Sequence, residues 1–121
     1  MNSTNDMSIG VEKKGRDGNI VIIRLSGDMN TYDSLLNKIF KKLREENEIS
    51  KIVLDLTKIK SIGGILGMCM TCKFNCVDLG GDLKIFGLSE LIKEELEKYK
   101  VYKTIEHFIT EQEAINSFKQ I

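Results

Sequence analysis

The chain has 121 residues, enough for one domain whose core needs neither disulfides nor a metal. Its 18 Lys and Arg balance 18 Asp and Glu, and no basic stretch stands out, which removes the case for a nucleic-acid partner. The longest mostly apolar run, Ile62–Met70, is nine residues with three glycines, far short of the ~20 that cross a bilayer.

Met1–Ser8 is polar and carries no apolar export signal. Residues 1–7 are expected to be disordered, with a single domain over 8–121. Three cysteines without a secretion signal imply free thiols in a reducing cytoplasm. Proline is absent, so glycine punctuates the chain.

Ser8–Lys13 and Asn19–Ser26 flank the turn-rich Gly15-Arg16-Asp17-Gly18, which predicts a hairpin. The run Ile20–Leu25 marks its second strand as largely buried. Gly27-Asp28-Met29-Asn30-Thr31 follows as a loop ending in an N-cap. Tyr32, Leu35, Leu36, Ile39 and Leu43 recur at helical spacing, with lysines and glutamates opposite. Ile52–Leu56 reads as a central strand, and Gly64–Leu79 as a helix closed by Gly80-Gly81. Leu83–Phe86 reads as a strand. Ser89 caps a helix running to Lys100, with Leu91, Ile92, Leu96 and Tyr99 inward and Glu94 paired with Lys98 outside. Ile105–Ile109 is a short last strand, and Thr110 with Glu113 forms a capping box for a final helix bearing Ala114, Ile115 and Phe118. Strands alternating with helices imply an α/β fold, a mixed sheet with parallel crossovers.

Four segments, in this order and spacing, resemble the STAS domain family of anti-sigma factor antagonists. Gly27-Asp28-Met29-Asn30 is similar to the loop after the family's second strand, and Val53-Leu54-Asp55-Leu56-Thr57 to its central strand. Gly80–Leu88 is similar to the segment that returns to the sheet, and Ile109–Ile115 to the closing helix. The resemblance covers about Ser8 to Phe118. It implies a STAS, or SpoIIAA-like, fold with a mixed four- to five-stranded sheet and about four helices.

The resemblance also implies a function: binding a protein partner, an anti-sigma factor of the kinase type, and controlling it without catalysis. In the family, a Ser in the turn before the helix is phosphorylated and releases the partner. Counting forward from Asp55 puts that position at Gly64, and counting back from Gly80-Gly81 puts it at Gly63. Neither bears a hydroxyl, so no acceptor stands at the expected position. Ser61, two or three residues early, is the substitute candidate, while Thr57 reads as a strand end that bonds locally. The expected partner surface is Asp28, Asn30, Thr31, Ser61, Gly63, Gly64, Leu66 and Met70, with Phe74 further along the helix. No cofactor, metal or membrane insertion is expected; a homodimer is compatible with the sequence. The alternatives are a STAS-like accessory or scaffold in a transport or signalling assembly, or a small-ligand or nucleotide-binding STAS domain.

Cys69, Cys72 and Cys76 share one helix face at i, i+3, i+7. Without a fourth Cys or nearby His they read as small core residues before they read as zinc or redox ligands. Leu66, Met70 and Val77 form a second stripe, and the sequence leaves open whether it is buried or faces a partner. His107, the one histidine, has no nucleophile motif beside it and is expected at a strand edge.

Overall fold

The computed structural model describes residues 8–14, 19–27, 38, 39, 41, 42, 45, 51–59, 65–100 and 103–118, with the backbone alone at 8, 9, 65, 66 and 68. The N-terminal segment 1–7 lies outside them. The elements are β1 (Ser8–Lys14), β2 (Ile20–Gly27), β3 (Lys51–Ile59), α1 (Ile65–Asp78), β4 (Asp82–Phe86), α2 (Glu90–Lys98), β5 (Glu106–Phe108) and α3 (Glu111–Ser117). Most of the helix predicted from Tyr32 to Leu43 lies outside the described residues. Lys38, Ile39, Lys41, Lys42 and Glu45 are helical, and Ile39 packs onto the core.

The sheet runs β1-β2-β3-β4-β5. β1 and β2 form the predicted antiparallel hairpin, and every later pairing is parallel. Sheet residues alternate between two covered faces. On one face Val21, Ile23, Ile52, Leu54, Leu83 and Ile85 meet the thiols of α1 and Ile92 and Leu96 of α2. On the other, Ile20, Ile22, Val53 and Phe86 meet Ala114 and Ile115 of α3. Truncating a side chain such as Leu54, fully buried at the centre, costs about 2–5 kcal/mol.

Local signals explain where the helices stop and start. Past α1, the Gly81 amide donates to the Cys76 carbonyl (2.9 Å) and the Gly80 amide to that of Val77 (2.9 Å), with Gly80 at φ 84°. That is a Schellman closure, which wants glycine at the left-handed position. The Ser89 hydroxyl accepts from the Ile92 amide (3.3 Å), and the Thr110–Glu113 capping box is complete. The reading of α2 needs correcting. The helix ends at Lys98, with Tyr99 as its C-cap and Lys100 at φ 58°. Tyr99 is therefore exposed, at 55%; Leu91, a position before Ile92 and off its line round the helix, is 57% exposed, and only Ile92 and Leu96 are buried. Lys98 reaches Glu95 (3.7 Å), one turn back along the helix.

Candidate functional site

β2 and β3 are parallel neighbours whose last paired residues are Gly27 and Ile59. The segments that follow them therefore leave from adjacent positions at the carboxyl edge of the sheet, the edge where open α/β sheets bind ligands. Asp28, Asn30, Thr31, Ser61, Gly63 and Gly64 themselves lie outside the described residues, as does the side chain of Leu66. Of the predicted set, Met70 alone is described with its side chain.

Just before this edge, β3 carries a bulge. Arg24 pairs with Asp55, but two residues later Ser26 pairs with Lys58, three residues on. The extra residue breaks the strand's parity: Leu56 and Ile59, three apart, both reach the face covered by α1, while Thr57 and Lys58 between them are exposed. The bulge is held from within. Asp55 Oδ1 accepts from the Thr57 amide (3.0 Å) and from Thr57 Oγ1 (2.7 Å), and Oδ2 accepts from Arg24 Nη1 (2.8 Å). Burial of the Asp55 carboxyl opposes its charge. The Thr57 hydroxyl and amide and the Arg24 guanidinium outweigh that and hold it below the usual carboxylate range.

Arg24 sits at the centre of a larger network on the α3 face. It donates to Glu111 (2.9 Å) at the first turn of α3 and to Glu12 (2.6 Å) of β1 as well as to Asp55. One guanidinium thus ties β1, β2, β3 and α3 together. Beside it, the buried Lys84 pairs with Glu106 and lies 5.1 Å over the Phe118 ring. These groups give the second sheet face a polar half in which two cations, Arg24 and Lys84, meet four carboxylates.

The chain leaving β4 closes the edge from the other side. Gly87 has φ 81°, and a Cβ built there would stand 2.2 Å from Thr57 Cγ2. Glycine is required twice, by backbone conformation and by space. Leu88 then packs on the core, and Ser89 caps α2.

α1 starts at Ile65, six residues beyond the end of β3. Cys69, Cys72 and Cys76 are fully buried, so the thiol stripe is its core face. Burial pushes the Cys69 thiol up to about 12, and burial with Asp82 does the same for Cys76. Among the described residues no three His, Cys, Asp or Glu side chains are placed to share a metal ion. The second stripe divides. Met70 is half-buried against the core, whereas Phe74 and Val77 are 58% and 51% exposed. Gly67 lies on the same flank with open space above it. The helix is thus apolar on its buried side and again along one exposed flank.

His107 lies in β5, at the edge of the sheet as expected, with its ring held below its ordinary value chiefly by burial and also by Lys93, partly offset by Glu97. No described helix is long and apolar enough to cross a membrane. Thr57 bonds locally as expected, to Asp55 two residues back, although β3 runs on to Ile59; the role of Arg24 and the Thr57–Gly87 approach were not expected from the sequence. Their one visible signal was a charged residue inside each of two buried apolar runs.

The family model of the STAS domain matches residues 11–114. No curated protein matches the chain. Among solved structures, an anti-sigma factor antagonist from Mycobacterium paratuberculosis superposes with a TM-score of 0.77 at 13% identity, over 99% of this chain and 100% of that one. SpoIIAA in its unphosphorylated form gives 0.72 at 17% identity, over 94% and 98%. The Bacillus cell fate determinant SpoIIAA in its phosphorylated form gives 0.68 at 14%, over 92% and 99%. At these identities the structures establish a shared fold.

Proposed function

The chain belongs to the STAS domain family, and from that premise we propose that it works by binding a kinase-type anti-sigma factor in the cytoplasm, as an antagonist that phosphorylation at the usual position does not switch. The observation that carries this reading is the exposed apolar flank of α1. Phe74 and Val77 stand half or more in solvent beside Met70 and Gly67, on the helix that follows the carboxyl edge. Large apolar side chains grouped on one flank of a helix mark a docking surface more often than a wet one. The partner surface then comprises that flank together with Asp28, Asn30, Thr31, Ser61, Gly63, Gly64 and Leu66. In this reading Gly63 and Gly64 allow close backbone approach, Leu66 and Met70 add apolar contact, and Asp28 and Asn30 add polar contact.

The lost switch follows from charge. A phosphate at the helix start brings about −1.5 to −2 charges into a close-packed interface. Gly63 and Gly64 have no hydroxyl to carry it. Thr57 is poorly suited to replace them, because its hydroxyl donates to the Asp55 carboxylate at 2.7 Å and a phosphate there would face that charge. The test is affinity capture with the wild-type chain, with Gly64→Asp and with Phe74→Glu. The reading expects a kinase-type anti-sigma factor on the wild type and its loss from both variants. Equal recovery on all three would place the interface elsewhere.

A further inference from the structure

Asp55, Thr57 and Gly87 form a joint between the ends of β3 and β4. Thr57 donates to Asp55 through both amide and hydroxyl, which holds the extra residue of the bulge in place. Its methyl occupies the space that a side chain at position 87 would need. Asp55 is fixed in turn by Arg24 from the neighbouring strand. The exits of β2, β3 and β4 are thereby joined through one carboxylate and one threonine. All three strands deliver chain to the same edge.

We infer that Thr57 is a positioning residue for the binding edge. Its hydroxyl sets the parity of β3 and puts Ile59, the last residue of the strand, on the core face. A regular strand would turn Lys58 toward α1 and Ile59 away from it, because slipping by one residue exchanges the two faces. The consequence for partner binding rests on the function proposed above; the consequence for the geometry of the edge does not.

The experiment uses the full chain in three variants. Thr57→Val keeps the shape and the amide donor but removes the hydroxyl. Thr57→Ser restores it. Ile115→Val, in the apolar cluster under α3, is the control for a general loss of stability. Amide hydrogen exchange is followed by NMR across Lys58–Ile59 and Gly87–Ser89. The inference expects Thr57→Val to speed exchange there by about tenfold or more, the scale of one lost hydrogen bond to a charged acceptor. It expects Thr57→Ser to stay within about threefold of wild type and Ile115→Val to show no preference for that edge. Uniform acceleration across the whole sheet in Thr57→Val, or Thr57→Ser behaving like Thr57→Val, would overturn it. Titration of the kinase-type anti-sigma factor captured by the wild type then separates the two ideas. Exchange confined to the edge with unchanged affinity refutes the binding surface and leaves the positioning role standing.

Discussion

Replacing Gly87 with Ala tests the packing of the carboxyl edge at a single atom. The new Cβ would lie 2.2 Å from Thr57 Cγ2, 3.1 Å from the Thr57 nitrogen and 3.3 Å from its Cα, at a backbone φ of 81°. A left-handed alanine costs about 1–2 kcal/mol. Forcing the methyl groups apart adds about 1–3 kcal/mol by the usual scale of overpacking. Thr57 cannot simply rotate away, because turning its side chain takes Oγ1 off Asp55, and a hydrogen bond to a charged group contributes about 1.5–3 kcal/mol. Gly87→Ala should therefore destabilise the fold by about 2–5 kcal/mol, a large share of the 5–15 kcal/mol typical of a domain. Thr57→Ser in the same chain removes Cγ2 and keeps the hydroxyl. It should return about 1–2 kcal/mol, a coupling normal for residues in contact, while the left-handed cost stays. Urea unfolding of the four members of the cycle measures this from midpoints at constant m. A coupling near zero, or Gly87→Ala within about 0.5 kcal/mol of wild type, would refute the close approach as the reason for glycine.

Stability should fall with pH in two steps. His107, held low chiefly by burial, resists the proton that the unfolded chain accepts, so stability drops as pH falls below about 6.5 and levels off once the folded His107 titrates. Asp55 and Asp82, held below the ordinary 3.8, contribute stability that is present above that value and lost as pH falls through their folded values. His107→Gln should abolish the upper step alone; a stability curve flat between pH 7 and 5 in the wild type contradicts this. Because Cys69, Cys72 and Cys76 are fully buried, a thiol reagent should label them no faster than the protein opens, and all at once in denaturant. Labelling of any one within the mixing time would show an accessible thiol. Phe74→Glu and Val77→Glu should leave stability within about 0.5 kcal/mol of wild type, since both side chains are already more than half exposed. A loss of several kcal/mol would mean that the flank is structural.

The order of elements was legible because the central strands are β-branched or leucine runs bounded by glycine or charge, as in Ile20–Leu25 and Ile52–Leu56. Helix ends were legible where a short local motif decides them, as at Gly80-Gly81, Ser89 and Thr110–Glu113. Leu91 lies off the buried Ile92–Leu96 line although it is adjacent to it in sequence, and Tyr99 would share that line only in a helix continuing to Lys100. With the left-handed turn at Lys100, Tyr99 leaves the helical period. The thiol stripe of α1 is core as the sequence suggested; the second stripe is similarly apolar, so only the structure shows that Phe74 and Val77 stay exposed. The bulge in β3 was invisible for another reason. It is defined by register against β2, and its clamp joins Arg24, Asp55 and Glu111 across 87 positions of sequence. The surface expected at Asp28–Thr31 and Ser61–Gly64 came from the resemblance and lies outside the described residues; the structure shows only that the strands preceding both segments end as a pair, Gly27 with Ile59.

The function proposed for this STAS domain has a kinase-type anti-sigma factor held by the α1 flank and carboxyl edge, with no phosphate switch at the usual turn. Titration of the captured anti-sigma factor into the purified chain, with and without ATP, followed by mass spectrometry of the chain, tests it most directly. ATP turnover should leave the chain unphosphorylated and the complex intact, and Phe74→Glu should abolish binding. Release on ATP addition with phosphate on Ser61 or Thr57, or undiminished binding by Phe74→Glu, would contradict it.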